Sequence, residues 1–502
     1  MDILVKNGLL FDPAIGEDAV QRKNLLIKDG VIAGFPENKA AASSPDLKVI
    51  DAGNKLVIPG LVNAHLHSHD HYDRGRFDNL PLELWILFIR PWIGAKPLTT
   101  RELYLRTMIG ALEMVRTGTT LCIDHVNLAP FNTHKNVAAV MQAYRDVGLR
   151  AFISADVFDK PAYLTVPHVA RLLPEPIRTA MDQLSGFTPD DWISFLRQCI
   201  DTWNKPGELT RFILGPSAPQ RCTDTLLLKI KSLSEETDTF IITHTLETKV
   251  QVVTGAHFYG SSVIGHLKDL RLLGKNVALV HCVWASEKDL DQIASAGASI
   301  VHCPVSNLKL GSGIAPLETI LSKKINVGLG TDNTSCNDSQ NLFEVMKFAA
   351  LLPKIRHEAF SNWPDATQIF SLATTGGARI AQMAGKVGTL APGARADLVI
   401  LDLNNPSFVP VGSVERNLVY SENGSSVDTV IIDGKIVMLN RKILTVREND
   451  LYSEIREAAA RLKREHRSVY EKAEEIYPYF EEAYFRCQQE FKEGIFGGTT
   501  RK

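Results

Sequence analysis

The sequence predicts an α/β protein: a (β/α)8 TIM-like barrel, a small β-sandwich domain built from both chain ends, and a C-terminal helical tail. Three observations predict it. Apolar strand-length runs alternate with helical stretches through the middle of the chain, the pattern of βα units around a parallel sheet. Eight such runs occur, at 56–62, 119–123, 151–155, 212–214, 240–243, 277–280, 299–301 and 326–330, and eight βα units close into a barrel. Polar residues stand at or just beyond the ends of these runs, where such a barrel carries its chemistry: His65 and His67, Asp124 and His125, Asp156, Ser217, His244, His281, His302 and Asp332.

The flanking elements follow from local turn chemistry. Leu25-Leu26-Ile27-Lys28-Asp29-Gly30-Val31-Ile32 places Asp-Gly between apolar runs, and a type I′ hairpin turn needs the positive φ those residues tolerate. Val430-Ile431-Ile432-Asp433-Gly434-Lys435-Ile436-Val437 repeats the design near the other end. Residues 1–58 and 388–445 are therefore expected to form one composite β-domain and 59–387 the barrel. Residues 446–502 form a helical extension, rich in Glu, Lys, Arg and Ala. In it Tyr470, Ala473, Ile476, Tyr477, Phe480, Tyr484 and Phe485 recur at roughly helical spacing. That stripe suits packing on the chain's own barrel or on a second subunit.

At 502 residues the chain buries a large core, and 45% apolar with 22% charged residues is ordinary for a soluble enzyme. A net charge of −2 with both signs mixed argues against a nucleic-acid partner. The apolar stretches are only strand-length, so no membrane helix is expected, and no secretory signal opens the chain. The seven cysteines lack framework spacing, and Cys122, Cys282 and Cys303 read as buried reduced thiols. A cytoplasmic protein, forming a homodimer or higher homo-oligomer and acting on a small molecule, is the expectation.

In an extended segment residues i and i+2 point the same way, so His65 and His67 reach one point at the mouth of the barrel. Neutral imidazole is a common ligand for zinc and other divalent metals. Polar loop histidines are the competing reading, since His69 and His71 continue the alternation. His244 and Asp332 at other strand ends favour metal ligation. Glu247, three residues beyond His244, suits a general acid/base overhanging the open coordination position; capping the next helix is its bland alternative. Asp332 in Gly330-Thr331-Asp332 suits both metal ligation and proton acceptance from activated water, and His281 suits orientation of the attacking oxygen or a structural role. His302 reads more easily as a core or supporting histidine, and Lys309 as a loop charge; Asp124 and His125 stay open.

With these residues in place the chain resembles the amidohydrolase superfamily, in the branch of methylthioadenosine/S-adenosylhomocysteine deaminases, guanine deaminases and s-triazine hydrolases. The matching phrases are Pro59-Gly60-Leu61-Val62-Asn63-Ala64-His65-Leu66-His67, Met114-Val115-Arg116-Thr117-Gly118-Thr119-Thr120, His302-Cys303-Pro304-Val305-Ser306-Asn307 and Gly330-Thr331-Asp332-Asn333. Gly388-Thr389-Leu390-Ala391-Pro392-Gly393 resembles the family's return to its β-domain, and the likeness runs over roughly residues 1–440. It implies one divalent metal, zinc or iron(II), on His65, His67, His244 and Asp332, with Glu247, His281 and Asp332 catalytic. It also implies attack by metal-activated water on an electron-poor ring or amidine carbon of a small N-heterocycle, releasing ammonia or an amine. The alternatives are hydrolysis of another bond on the same scaffold, in a cyclic amide or guanidine or between carbon and chlorine, and deamination of a nucleoside of the methylthioadenosine/S-adenosylhomocysteine type. Ser217, Trp85 and Trp92 are the expected substrate contacts. The nucleoside deaminases of this branch carry His where Gly215-Pro216-Ser217-Ala218-Pro219 has Ser217, and an acid where Pro91-Trp92-Ile93-Gly94 has none. Both departures point to a smaller heterocycle than a ribonucleoside. Residues 157–200, with Phe158, Tyr163, Phe187 and Trp192, are a candidate lid.

Overall fold

The apolar run expected as one strand at 56–62 is two strands with Gly60 between them. In the computed structural model, which describes residues 2–18, 20–37, 47–90, 97–128, 132–183 and 187–494, Lys55–Pro59 belongs to a terminal sheet and β1 (Leu61–His67) to a parallel one. Hydrophobicity continues through the junction because both strands are buried, so periodicity alone could not find the break. Gly60 donates its N–H to Asp397 O at 2.9 Å. A Cβ at position 60 would stand 2.0 Å from Thr120 Oγ1, so a side chain is excluded.

The parallel strands are β2 (Thr119–Val126), β3 (Arg150–Ala155), β4 (Thr210–Phe212), β5 (Ile241–Thr245), β6 (Val277–His281), β7 (Ser299–His302), β8 (Val327–Leu329) and β9 (Asp332–Asn333). They form two sheets, β9-β1-β2-β3-β4 and β5-β6-β7-β8. The sheets meet where Leu214 makes a parallel bridge to Ile241, with Ile242 N–H donating to Leu214 O at 2.9 Å. At the opposite seam two glycines let backbone approach backbone. A Cβ on Gly328 would lie 2.9 Å from Ala64 Cβ, and one on Gly330 2.9 Å from His65 O. Alternate residues of these strands, including Val62, Ile123, Phe152, Ile242, Val280 and Val301, pack into one buried cluster.

Both chain ends meet in one nine-stranded sheet. Its order begins at Lys442–Ile443 and passes through Lys435–Leu439, Val427–Ile432 and Leu398–Asp402 to Lys55–Pro59, Ile3–Phe11, Val20–Lys28 and Val31–Gly34; Lys48–Asp51 pairs beside Ile3–Phe11. Both Asp-Gly turns take the positive φ expected of them: Asp29 49° and Gly30 75°, Asp433 54° and Gly434 72°. The two turns touch, so glycine is required again where Gly434 faces Gly30. Arg150 of β3 ties this sheet to the parallel one through Asp397 at 2.9 Å and Asp433 at 2.9 Å.

The helical tail packs on its own chain. Helix α3 (Arg467–Glu493) lies against α1 (Leu82–Ile89) and α2 (Lys249–Tyr259), burying Ala473, Ile476 and Phe480 beside Leu84 and Leu87. Phe485, counted in the stripe, is 61% exposed. All seven cysteines are free and buried, and among the described residues no helix is long and apolar enough to cross a membrane. Gly60→Ala is expected to cost about 3 kcal/mol through overpacking against Thr120, read as a lowered midpoint in chemical denaturation; an unchanged midpoint would mean the junction is not the tight contact described.

Candidate active site

Three imidazoles converge above the C-terminal ends of β1 and β5. His65 Nε2 is 3.0 Å from His67 Nε2 and 3.2 Å from His244 Nε2, and the latter two are 3.1 Å apart. Their tautomers are set by neighbouring carbonyls. His67 Nδ1 lies 2.5 Å from His125 O and His244 Nδ1 2.5 Å from Ser217 O, and a carbonyl only accepts, so each Nδ1 carries the proton. Both Nε2 atoms then present bare lone pairs to each other. Burial, followed by the proximity of the His65 ring, holds both imidazoles well below the ordinary histidine range, so neither relieves the repulsion by protonating. Asp332 Oδ1 stands 3.6 Å from His65 Nε2 and 3.4 Å from His67 Nε2. Lone pairs and a carboxylate aimed at one point suit a divalent cation, and the donor set matches zinc or another imidazole-preferring metal.

Asp332 enters the site from a left-handed backbone conformation (φ 63°), and so does His281 (φ 75°). Non-glycine residues avoid that region, so the surroundings must hold them there. Asp70, unremarked in the sequence, is one such support: it accepts from Thr334 N–H at 3.2 Å, Ser335 N–H at 2.8 Å and Ser335 Oγ at 2.5 Å. Asp332 Oδ2 accepts from Ser306 Oγ at 2.6 Å. Burial alone would raise the Asp332 carboxyl, but the neighbouring imidazoles of His65 and His281 and the hydrogen bond from Ser306 outweigh it and leave it lowered.

Glu247 and His281 face each other beside this cluster, Oε2 to Nε2 at 3.4 Å. Asn307 Oδ1 accepts from His281 Nδ1 at 2.9 Å, which leaves His281 Nε2 as an acceptor towards the cavity. Burial brings His281 down to about 4, so it is neutral at working pH. Burial, then the carboxylates of Asp332 and Glu83, push Glu247 well above the ordinary carboxyl range. A carboxyl with high proton affinity beside a neutral imidazole suits proton transfer near neutrality.

These residues open on a cavity of about 830 Å³ including its mouth. Trp85, Leu82, Ile86, Val166, Leu310 and Phe480 give it apolar walls; Ser217, Arg90, Arg221, Glu83 and Gln251 add polar groups. Of the expected substrate contacts, Ser217 and Trp85 line it, while Trp92 lies outside the described residues. Among the described residues of the candidate lid, only Thr165 and Val166 reach the cavity. Phe158, Tyr163, Phe187 and Trp192 do not line it, and the Trp192 indole donates to Phe158 O at 2.9 Å. His302, brought down to about 3 by burial, is a core residue whose carbonyl accepts from Gly330 N–H. His71 sits against the bare Cα of Gly110 with Nδ1 donating to Arg106 O, and His69 Nδ1 accepts from Asn127 N–H; both are structural. His125 bonds Asp156 at 3.0 Å, Asp124 accepts from Ser68 N–H and Tyr144 OH, and Lys309 pairs with Asp338.

A model of the Amidohydrolase family matches residues 56–437. The chain belongs to the amidohydrolase family. Among its relatives is a 5-methylthioadenosine/S-adenosylhomocysteine deaminase of Thermococcus kodakarensis, 34% identical over 439 residues, 87% of this chain and 94% of that one. A 5'-deoxyadenosine deaminase of Methanosarcina mazei is 32% identical over 465 residues, covering 92% and 98%. In three dimensions the chain is similar to an adenosine deaminase from Xanthomonas campestris with bound zinc, at TM-score 0.80, 26% identity and coverage of 92% and 98%. Its fold is also that of an atrazine chlorohydrolase from Arthrobacter aurescens complexed with zinc, at TM-score 0.81, 20% identity and coverage of 91% and 100%.

Sequence reading missed several residues of this amidohydrolase site. Arg90 closes the apolar helix α1, and a lone charge at the end of Leu84-Trp85-Ile86-Leu87-Phe88-Ile89 was the available signal. Arg221 follows the Gly-Pro-Ser-Ala-Pro phrase by two residues and carried no pattern of its own. Glu83 lies on the same helix, 5% exposed, with Thr248 Oγ1 donating to its Oε1 at 2.5 Å. Because Glu83 raises Glu247, Glu83→Gln should let the Glu247 carboxyl ionise at lower pH. The acid limb of the kcat/KM–pH profile should move to lower pH. A limb that stays in place would remove Glu83 from the electrostatics of the site.

Proposed function

We propose that this amidohydrolase is a metal-dependent aminohydrolase that adds water to an electron-poor ring or amidine carbon of a small N-heterocycle and releases ammonia or an amine. The observation that carries the reading is Glu247 facing His281 at 3.4 Å beside three converging imidazoles. A divalent metal on His65, His67, His244 and Asp332, zinc first and iron(II) second, would supply Lewis acidity and lower the pKa of water to about 7. Glu247 then takes a proton from the attacking water and returns it to the departing nitrogen. His281 Nε2 accepts from the water's other O–H and fixes its direction, while Asn307 keeps that nitrogen unprotonated. The raised proton affinity of Glu247 favours amine loss over chloride loss, since a departing amine needs a proton and chloride does not. Trp85 and the apolar residues around it support a planar ring.

The proposal extends to the scaffold. We read the two parallel sheets as one (β/α)8 barrel over residues 59–387, with the nine-stranded sheet curling over its own core as a small sandwich of residues 1–58 and 388–445. Ile3, Val5, Leu25, Ile27, Leu398 and Ile431 in one separate cluster support this. Residues 446–502 are the helical extension. A homo-oligomer is supported by Ile355 and Phe360, 78% and 77% exposed near one another in sequence.

A nucleoside substrate is the second reading. It is favoured by the deaminase activities for which the relatives are named and by Glu83, a buried cavity carboxylate able to accept from a sugar hydroxyl. Ammonia release from guanine, isocytosine, amino-s-triazines, cyclic guanidines and methylthioadenosine decides between them, with chelated enzyme as control. Release from a free base or triazine, lost on chelation, is the expected result. Release chiefly from methylthioadenosine would move the assignment to nucleosides, and none from metal-loaded protein would overturn deamination. Glu247→Gln should retain metal and lose turnover by about 10²–10⁴-fold; near-full activity would remove Glu247 as the proton carrier.

A further inference from the structure

A second group of metal-ligand side chains stands outside the active site. His168 Nε2 lies 2.8 Å from Glu490 Oε1 and His257 Nε2 lies 2.9 Å from Glu490 Oε2. The two imidazole rings meet edge to face, 5.2 Å between centroids. One donor atom from each of the three residues falls within 4.8 Å of the others. They come from separate parts of the chain: His168 from the candidate lid, His257 from the last turn of α2 and Glu490 from the last turn of α3.

Ion pairing accounts for only half of this arrangement. His257 Nε2 makes a hydrogen bond to Glu490, but His168 Nε2 is a buried atom without a hydrogen-bond partner among the described residues. Its approach to the carboxylate is close, yet it lacks the alignment of an N–H donor with its acceptor. A nitrogen and a carboxylate set side by side, not head-on, suit a cation held between them. His168 also sits in the left-handed region at φ 72°, a conformation that costs a non-glycine residue about 1–3 kcal/mol. Its side chain makes no cap to the short helix Val169–Leu172 that it precedes, so local capping does not explain that backbone.

We propose that His168, His257 and Glu490 bind a second divalent transition-metal ion, zinc, separate from the one proposed for His65, His67, His244 and Asp332. Two imidazole nitrogens and a carboxylate are a donor set zinc accepts, with water in the fourth position. Ligands about 2.1 Å from one tetrahedral ion stand about 3.4 Å apart, so the present contacts need to open by roughly half an ångström. Side chains that are 15%, 35% and 21% exposed can make that movement, and the same exposure gives the ion a route from solvent. The ion braces the cavity, because each ligand shares its segment with residues of the cavity wall. His168 follows Thr165 and Val166, His257 shares α2 with Gln251 and Thr254, and Glu490 shares α3 with Phe480. Metal at this point fixes three pieces of wall to one another, one of them beyond the family match.

Zinc binding to the full-length protein tests it without turnover. Metal-stripped protein would be titrated with zinc against a chromophoric chelator, as the unsubstituted chain and as His65→Ala/His67→Ala, which removes ligands of the proposed active-site metal. The unsubstituted chain should take up two equivalents and the double variant one. Added to the double variant, His257→Ala or Glu490→Gln should each weaken the remaining equivalent by about 100-fold or more, since even outer-shell partners of a metal are worth up to that. Hydrogen exchange locates the ion: in the double variant, zinc at 100 times its Kd should slow the amides around His168, His257 and Glu490 by up to about 100-fold, and His257→Ala should abolish the effect. A double variant that binds no zinc, or binds it equally well after both further substitutions, would overturn the proposal and leave the three groups as an ion-paired latch. If the double variant fails to fold, His257→Ala alone decides: loss of one equivalent from the unsubstituted count supports the site, and an unchanged count overturns it. A single equivalent in the unsubstituted chain that His257→Ala removes would sink the active-site metal and leave this site standing.

Discussion

Mutual repulsion among the lone pairs of His67 and His244, held 3.1 Å apart, is the constraint that organises the site. Nothing in the side chains themselves would keep two neutral imidazoles in that arrangement. Backbone carbonyls do so: His125 O, at the end of β2, fixes His67, and Ser217 O, beyond β4, fixes His244. The ligand geometry is therefore written into strand neighbours as much as into the histidines, and a cation at the point of convergence turns the repulsion into attraction. The same logic covers Asp332 and His281, whose left-handed backbones cost about 1–3 kcal/mol each and are held by Asp70, Ser306 and Asn307.

That site depends on where β1 starts, and the start of β1 depends on the other end of the chain. Gly60 is fixed between Asp397 O and Thr120, and Asp397 in turn receives Arg150 from β3. The two Asp-Gly turns close on each other above this ion pair. Both chain ends thus clamp the strand that delivers His65 and His67, which accounts for a composite sheet instead of two independent terminal hairpins. A buried Arg150–Asp397–Asp433 group contributes little by its charge alone, since desolvation offsets attraction, but it fixes the angle at which the sheets meet.

Much of this was legible because it repeats a pattern. Strands buried on both faces give apolar runs, and the polar residue that ends each run is conspicuous; that is how His65, His67, His244, His281 and Asp332 stand out. Asp-Gly turns are legible because so few residues accept φ above zero at two successive positions. Boundaries between two buried strands are not legible, which is why 56–62 looked like one element. Arg90, Arg221 and Asp70 were hidden for another reason: each works through a three-dimensional partner far away in sequence, Asp156, Ser217 or Ser335, and none belongs to a periodic series. The tail was half legible. Helical spacing marks the apolar stripe, but only the fold assigns Phe480 to the cavity and Phe485 to solvent.

The tail changes where specificity resides. The family match ends at residue 437, and the residues that would hold metal and move protons all lie within it. Phe480 does not, yet it forms part of the cavity wall opposite groups supplied by the matched region. Helix α3 is seated there by apolar contacts with α1 and by Glu490, which bonds His257 Nε2 at 2.9 Å and stands 2.8 Å from His168 Nε2. Helix α1 in turn carries Glu83, Trp85 and Arg90 into the cavity, so a shift of α3 would be felt by the acid that tunes Glu247 and by the guanidinium beside Ser217. Chemistry drawn from the family core and selection drawn partly from a segment beyond it can therefore vary separately. Relatives that share the ligand set need not share the substrate.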